Sequence, residues 1–259
     1  MSEERRWTLI TGASSGIGAE LARVFAARGS SLVLAARRRD RMEALAGELR
    51  SERVTVEIVA TDLEDPAAPA SLFEAVEGRG IAVHTLVNNA GFGLRGRFAA
   101  LPLDRQMAMI ALNVTALTRL CGLFLPRLIE RRRGGILNVA STAAFQAGPN
   151  MAVYYATKAF VLSLSEALHE EAKPHGVVVT ALCPGPTPTE FQARADMPMT
   201  KLLGLGAMSP AEVARIGIEG YEAGKAIVIP GLPNRLGAWG AQHLAPRALT
   251  RRVAGKLQS

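Results

Sequence analysis

The chain has 259 residues, of which 49% are hydrophobic and only 5% aromatic, so Ala, Val, Leu and Ile must fill the core of what reads as one α/β domain. The formal net charge is +7. The arginines are scattered in short runs (Arg37 to Arg39, Arg131 to Arg133, Arg251-Arg252) without zinc ligands or an aromatic-rich RNA motif, which argues against nucleic acid as a partner. Cys121 and Cys183 are the only cysteines and have neither metal nor redox spacing, so no metal site is expected. The N-terminus enters a strand-like run without a signal-peptide core, and no uninterrupted apolar stretch is read as reaching transmembrane length. Together these features predict a cytoplasmic protein with reduced thiols.

Strand-like and helix-like segments alternate. Trp7 to Ile10 reads as a strand, followed by a glycine-rich turn and a helix through Arg28. Ser31 to Ala36 is a buried strand, Arg39 to Arg50 a helix, Val54 to Ala60 the third strand, and Pro66 to Gly78 a helix with proline in its first turn. Val83 to Asn88 is the fourth strand. Asp104 to Arg131 is one long helical run, broken by Gly134-Gly135. Ile136 to Ala140, Met151 to Lys173 and Val177 to Cys183 are strand, helix and strand. Pro210 to Glu222 is helical and Ala226 to Ile229 is the seventh strand. Strands alternating with crossover helices predict a single Rossmann-type, doubly wound parallel sheet of about seven strands with helices on both faces. The core is expected over 7–230, with a mobile Met-, Gly- and Pro-rich substrate-binding loop over 190–209 and a C-terminal extension over 231–259.

Between the first strand and first helix stands Thr11-Gly12-Ala13-Ser14-Ser15-Gly16-Ile17-Gly18. Glycines there permit a tight turn and close approach of backbone to a pyrophosphate, and the helix N-terminus offers unpaired N–H groups. The second strand ends Ala35-Ala36-Arg37-Arg38, without the acid that usually binds the ribose hydroxyls of NAD. Guanidinium forks there suit the extra phosphate of NADP, and Ser14 adds a hydroxyl. The predicted cofactor is NADP(H), held by Gly12, Ser14, Ser15, Gly16, Ile17, Gly18, Arg37 and Arg38. Further along, Tyr154 and Lys158 are four residues apart, which on a helix places them on one face. A cation near a phenol favours its ionised form, which suits general acid–base work. Taken alone, the pair also fits a half-buried tyrosine beside a snorkelling lysine.

In combination the motifs resemble those of a classical short-chain dehydrogenase/reductase over about residues 7 to 230. The glycine loop comes first, then Asp62 after the third strand, Asn88-Asn89-Ala90-Gly91, Ser141 with Tyr154 and Lys158, and Pro184-Gly185. The resemblance implies Asn113, Ser141, Tyr154 and Lys158 as the catalytic set. It implies that Asp62 and Leu63 meet the adenine, that Asn89, Ala90 and Gly91 line the adenosine ribose, and that Pro184, Gly185, Thr187 and Thr189 cap the nicotinamide. Lys158 would lower the Tyr154 pKa and hold the nicotinamide ribose, and Asn113 would anchor a water linking Lys158 to solvent. Pro186 and Pro188 depart from the family pattern and stiffen the capping loop. On the sequence alone, Asn88-Asn89 also fits a polar turn at a strand end. Tyr155 is read as structural, since it points about 100° away from Tyr154 around the helix.

Phe92, Phe145 and Phe191, with Leu94, Phe98, Met151, Met197, Met199, Leu202 and Leu203, give the substrate region an apolar character. The resemblance implies hydride transfer between NADP(H) and a carbonyl or alcohol group, and the apolar region points to a hydrophobic substrate: a 3-oxoacyl chain, a steroid-like ketone or an aromatic ketone or aldehyde. Ser141 and Tyr154 would touch the reacting group. The alternative is a non-catalytic NADP(H)-sensing regulatory protein. The resemblance implies a homodimer or homotetramer, with the helices of 104–131 and 151–173 as the contact surfaces. The extension, where Trp239, Leu244, Leu249, Val253 and Leu257 mix with Arg235, Arg247, Arg251, Arg252 and Lys256, could contact a membrane surface, close over the pocket or form a subunit-contact tail.

Overall fold

Seven strands form one sheet in the order β3-β2-β1-β4-β5-β6-β7, every pair parallel. The computed structural model describes residues 5–191, 195 and 207–243. The strands are β1 (Trp7–Thr11), β2 (Ser31–Ala36), β3 (Val56–Ala60), β4 (Val83–Asn88), β5 (Gly135–Val139), β6 (Val178–Leu182) and β7 (Ile227–Val228). The helices are α1 (Gly16–Ala27), α2 (Arg39–Leu49), α3 (Ala68–Glu77), α4 (Leu103–Ile110), α5 (Leu117–Arg131), α6 (Ala152–Ala172), α7 (Pro210–Glu222) and α8 (Leu232–His243).

Side chains alternate across a strand, so adjacent residues feed opposite cores. Leu9, Val33, Leu86 and Ile136 pack with Leu72 of α3, Phe124 of α5 and Leu162 of α6. Ile10, Leu34, Val87 and Leu137 pack with Leu21 of α1, Met42 of α2 and Val213 of α7. Burial on both faces explains the nearly continuous apolar strands. The chain winds outward from β1 to β3, then returns to place β4 on the other side of β1. This reversal opens a crevice at the carboxyl ends of the strands, where such sheets bind ligands.

The predicted elements all appear, with ends shifted by a residue or two. The largest difference lies in the long helical run. One wide π-helical turn, Ala111–Ala116, separates α4 from α5. Asn113 sits inside it, and its side chain bonds outside the helix, to Phe92 and Thr157. Such turns concentrate at functional positions. Leu103–Arg131 also passes, by length and composition, for a membrane-crossing helix, with a hydropathy of 1.7, so the expectation that no apolar stretch reaches that length was too strict. Its Leu120, Phe124 and Leu128 are buried in the sheet core, which accounts for the apolar composition.

Beyond β7 the extension forms α8, a helix absent from the predicted elements. Residues 192–194, 196–206 and 244–259 lie outside the described residues, and with them the expectations for Met197, Met199, Leu202 and Leu203 and for the tail from Leu244 to Leu257.

Candidate active site

A cleft of about 880 Å³ runs across the carboxyl ends of the strands, from Arg37 and Arg38 at one end to Ser141, Tyr154 and Lys158 at the other. Its floor begins at the glycine turn. Gly12 and Gly16 have φ of +65° and +57°, which disfavours any side chain. A Cβ on Gly12 would lie 2.9 Å from the Ala90 Cα, and one on Gly16 3.1 Å from the Thr189 methyl. Gly18 differs from the expectation of a cleft residue. It is not among the residues lining the cleft; a Cβ there would lie 2.4 Å from the Gly12 carbonyl oxygen and from Asn89 Nδ2. Its smallness lets α1 pack against the turn, which is how the third glycine of such a loop serves.

Asn89 and Thr11 staple the turn to the end of β4. Asn89 Nδ2 donates to the carbonyls of Thr11 (2.9 Å) and Gly12 (3.2 Å). The Thr11 hydroxyl accepts from the backbone N–H of Asn89 (3.0 Å) and Ala90 (3.1 Å). Ala90 and Gly91 are thereby presented to the cleft, with Asp62 and Leu63 across from them.

The two arginines diverge. Arg37 turns to Glu64 (3.0 Å) and Asp62 (3.6 Å). Arg38 turns into the glycine loop: Nη2 donates to the hydroxyls of Ser14 (3.0 Å) and Ser15 (2.8 Å), and Nε also reaches Ser14 (3.2 Å). Arg38 therefore makes the anion-accepting end of the cleft, and Arg37 closes its edge. Glu190 and Arg41 join this cluster, and neither stands in a sequence motif.

At the opposite end, β5 runs into Ser141, and α6 delivers Tyr154 and Lys158 one turn apart. The Ser141 hydroxyl hydrogen-bonds the Tyr154 phenol, accepts from Ala143 N–H (3.1 Å) and lies 3.5 Å from the Pro184 carbonyl. Lys158 is 6% exposed; its Nζ donates to the Val139 carbonyl at 2.8 Å and lies 5.9 Å from the Tyr154 ring centre. The expectation that Lys158 lowers the Tyr154 pKa does not hold in this structure. Burial pushes the phenol up to about 12, outweighing the hydrogen bond from Ser141. Burial pulls the ammonium down to about 8, with Cys183 opposing weakly. The lysine thus releases its proton before the tyrosine does, and at neutral pH the site holds a neutral phenol beside an ammonium.

Asn113 stands behind the cleft wall, not in it. Its Oδ1 accepts from Phe92 N–H (3.1 Å), and its Nδ2 donates to the Phe92 carbonyl (2.9 Å) and to the Thr157 hydroxyl (3.1 Å). These three bonds tether the Gly91–Phe92 segment against α6. Gly91 allows this close approach: its Cβ would lie 3.0 Å from Asn113 Oδ1 and 3.7 Å from Lys158 Nζ.

Phe92, Phe145, Met151 and Phe191 line the cleft around the tyrosine, with Arg95 and Gln146 as polar members. Phe191 packs on Tyr154 with ring centres 5.3 Å apart. Tyr155 is buried, and a Cβ on Gly148 would strike its ring at 2.3 Å, in keeping with a packing role. The Pro184–Thr189 segment also lines the cleft. The Thr187 hydroxyl donates to the Gly185 carbonyl (3.1 Å), and the Thr189 hydroxyl accepts from Phe191 N–H (3.2 Å). Of the three roles offered for the extension, closure over the pocket matches the position of α8, whose Pro233, Asn234, Gly237, Ala238 and Ala241 line the cleft, residues that the sequence reading did not name. The small residues at 234, 237, 238 and 241 fall on one helical face, and that spacing is the signal that could have shown it.

Comparison with known proteins agrees with this geometry. The family model described as short chain dehydrogenase matches residues 6–199. A sulfoacetaldehyde reductase of Chromohalobacter salexigens is 43% identical over 185 residues, covering 70% of this chain and 72% of that protein. Among solved structures, a short-chain dehydrogenase from Sphingobium yanoikuyae in complex with NADPH superposes with a TM-score of 0.82 at 39% identity, covering 90% of this chain and 91% of that one. A bulky-bulky ketone specific alcohol dehydrogenase from Comamonas testosteroni gives 0.77 at 33% identity, covering 94% and 96%. With its sheet order, glycine turn and serine–tyrosine–lysine end, the chain belongs to the short-chain dehydrogenase family, an oxidoreductase of carbonyl and alcohol groups.

Proposed function

We propose that the protein is an NADP(H)-dependent reductase of hydrophobic carbonyl compounds with Tyr154 as general acid. The observation that carries this reading is one cleft joining Arg38 and the hydroxyls of Ser14 and Ser15 to the Ser141–Tyr154–Lys158 cluster. A protein that only sensed the nucleotide would have no need of that second end. When bound, the nicotinamide cofactor supplies the hydride. The glycine turn from Gly12 to Gly18 receives the pyrophosphate, and Arg38 with Ser14 and Ser15 the extra phosphate. Asp62, Leu63, Asn89, Ala90 and Gly91 flank the adenosine. Pro184, Gly185, Thr187 and Thr189 flank the nicotinamide, and Lys158 holds its ribose. The Ser141 hydroxyl and the Tyr154 phenol grip the carbonyl oxygen and stabilise its developing charge, and Tyr154 gives it a proton. A phenol at about 12 is protonated at neutral pH, which suits reduction. Asn113 is a positioning residue for Phe92 and the Lys158 helix.

The apolar wall of Phe92, Phe145, Met151 and Phe191 supports a bulky hydrophobic ketone or aldehyde, and the Comamonas structure is named for such ketones. Arg95 in the same wall favours a second reading, a short anionic aldehyde of the kind named for the Chromohalobacter relative. A panel of carbonyl compounds of graded size and charge, followed by NADPH oxidation, separates the two. Turnover confined to anionic aldehydes would overturn the hydrophobic assignment.

Cofactor preference has its own expected result. The wild-type protein should favour NADP(H) over NAD(H), and Arg38→Ala should abolish most of that preference, whereas Arg37→Ala should reduce it less because Arg37 turns away from the Ser14 and Ser15 hydroxyls towards Glu64 and Asp62. Charge-assisted contacts of this kind are each worth about 1.5–3 kcal/mol, or roughly tenfold or more in kcat/KM. Equal efficiency with both cofactors would refute the assignment.

We also propose a homodimer or homotetramer. Leu103 and Met107, one turn apart on α4, and Phe160 on the neighbouring α6 are exposed, and an apolar patch across adjoining helices suits a symmetric contact. Light scattering at micromolar concentration should return a multiple of the monomer mass; a monomer would count against it.

A further inference from the structure

The anion-accepting end of the cleft already holds an anion, supplied by the chain itself. Glu190 Oε2 accepts from Arg38 Nη1 at 2.8 Å, and Oε1 accepts from Arg41, one turn into α2. The same Arg38 carries its other nitrogens to Ser14 and Ser15. Two guanidinium groups thus converge on one carboxylate, and two hydroxyls sit on the far side of the same Arg38, a donor set of the kind that binds a phosphate monoester. The two hydrogen bonds hold the Glu190 carboxyl down to about 2, so it is an anion throughout any working pH range.

We propose that Glu190 is a cofactor-selecting residue: its carboxylate takes the anion position between Arg38 and Arg41 and competes there with the 2′-phosphate of NADP(H). This rests on the NADP(H) reading above. Two acceptor anions cannot share these guanidinium groups without mutual repulsion, so the phosphate enters only as the carboxylate leaves. The exchange has a short path to the chemistry, since the next residue, Phe191, packs on the Tyr154 ring at 5.3 Å, and Thr189 lies against Gly16. Glu190 thereby ties occupancy of the phosphate end to the wall beside the catalytic tyrosine.

The test uses the full chain and two nucleotide fragments, 2′,5′-ADP and 5′-AMP, titrated by calorimetry against wild type, Glu190→Gln, Glu190→Ala and Arg38→Ala. Melting temperatures verify that each variant is folded. Both Glu190 variants should bind 2′,5′-ADP about tenfold more tightly than wild type, with 5′-AMP unchanged within about twofold, the size of one partly screened like-charge contact. Unchanged or weaker binding of 2′,5′-ADP by both variants would overturn the proposal, showing that Glu190 only orders the arginines. The cofactor reading is judged separately. If wild type prefers 2′,5′-ADP and Arg38→Ala loses the preference, that reading stands whichever way Glu190 behaves. If wild type has no preference but the Glu190 variants acquire one, the competition is upheld and the NADP(H) assignment of the wild-type protein fails. If neither shows a preference, both fail.

Discussion

Tyr154→Phe is expected to lower NADPH-dependent turnover by about 10²–10⁴-fold, the usual contribution of a general acid, while leaving NADPH binding intact. The substitution keeps the ring that packs against Phe191 and Tyr155 and deletes only the hydroxyl bonded to Ser141. Arg38, Ser14 and Ser15 lie at the opposite end of the cleft, so their contacts are untouched. Ser141→Ala should fall in the same direction, because it removes the second donor to the developing oxyanion and frees the phenol from its orienting partner. Tyr155→Phe is the internal control: its ring is held by Gly148, Ala143 and Met151, and turnover should stay near that of wild type. Steady-state kinetics with a fixed ketone, read beside NADPH fluorescence titration, distinguishes these cases. An active Tyr154→Phe with a dead Tyr155→Phe would mean that the whole register of the catalytic assignment is wrong.

The parts of this site that the sequence makes legible are those fixed by local geometry. The glycine turn lies between β1 and α1, where Gly12 and Gly16 take the positive φ that favours glycine. Tyr154 and Lys158 share a face because they are one helical turn apart, and Ser141 meets them because it ends a strand of the same sheet. What was not legible depends on contacts between distant parts of the chain. The π turn around Asn113 is stabilised by hydrogen bonds to Phe92 and Thr157, and helical periodicity alone gives no hint of it. The divergence of Arg37 and Arg38 is decided by Glu64 and Glu190, of which the latter is 152 residues from Arg38. Closure of the extension over the pocket stood only as one of three readings, because the cleft-facing residues of α8 are small and its large apolar ones, Leu232, Leu236 and Trp239, are exposed. The electrostatics of the Tyr154–Lys158 pair went wrong for a similar reason. Proximity of a cation was legible, whereas the burial that raises the phenol and lowers the ammonium was not.

Lys158→Met should separate function from stability. Turnover should fall by at least about 10²-fold, since the group proposed to hold the nicotinamide ribose and to govern the charge beside Tyr154 is lost. Stability should respond with the opposite sign at neutral pH. Lys158 falls from an ordinary 10.5 to about 8 in the fold because burial disfavours its charge. A depressed folded pKa means that the unfolded chain binds more protons between those values, so stability rises with pH across that window and is lost again as pH falls through about 8. Below it, the buried ammonium costs the wild-type fold on the order of 3 kcal/mol relative to the uncharged amine. Methionine avoids that cost but leaves the Val139 carbonyl without the bond at 2.8 Å, a loss of about 1–3 kcal/mol. The variant should therefore melt at or slightly above the wild-type temperature at pH 7 and clearly below it at pH 10. The Tyr154 phenol, raised from 10 to about 12, stabilises the fold below its unfolded value and withdraws that stability only as pH climbs towards 12, and it does so equally in both proteins. The difference in unfolding free energy between wild type and variant, followed by denaturant titration from pH 7 to 10, should thus shift by on the order of 3 kcal/mol in favour of the wild type. A difference that stays flat across that range would show that Lys158 keeps an ordinary pKa in the fold and that burial does not depress it.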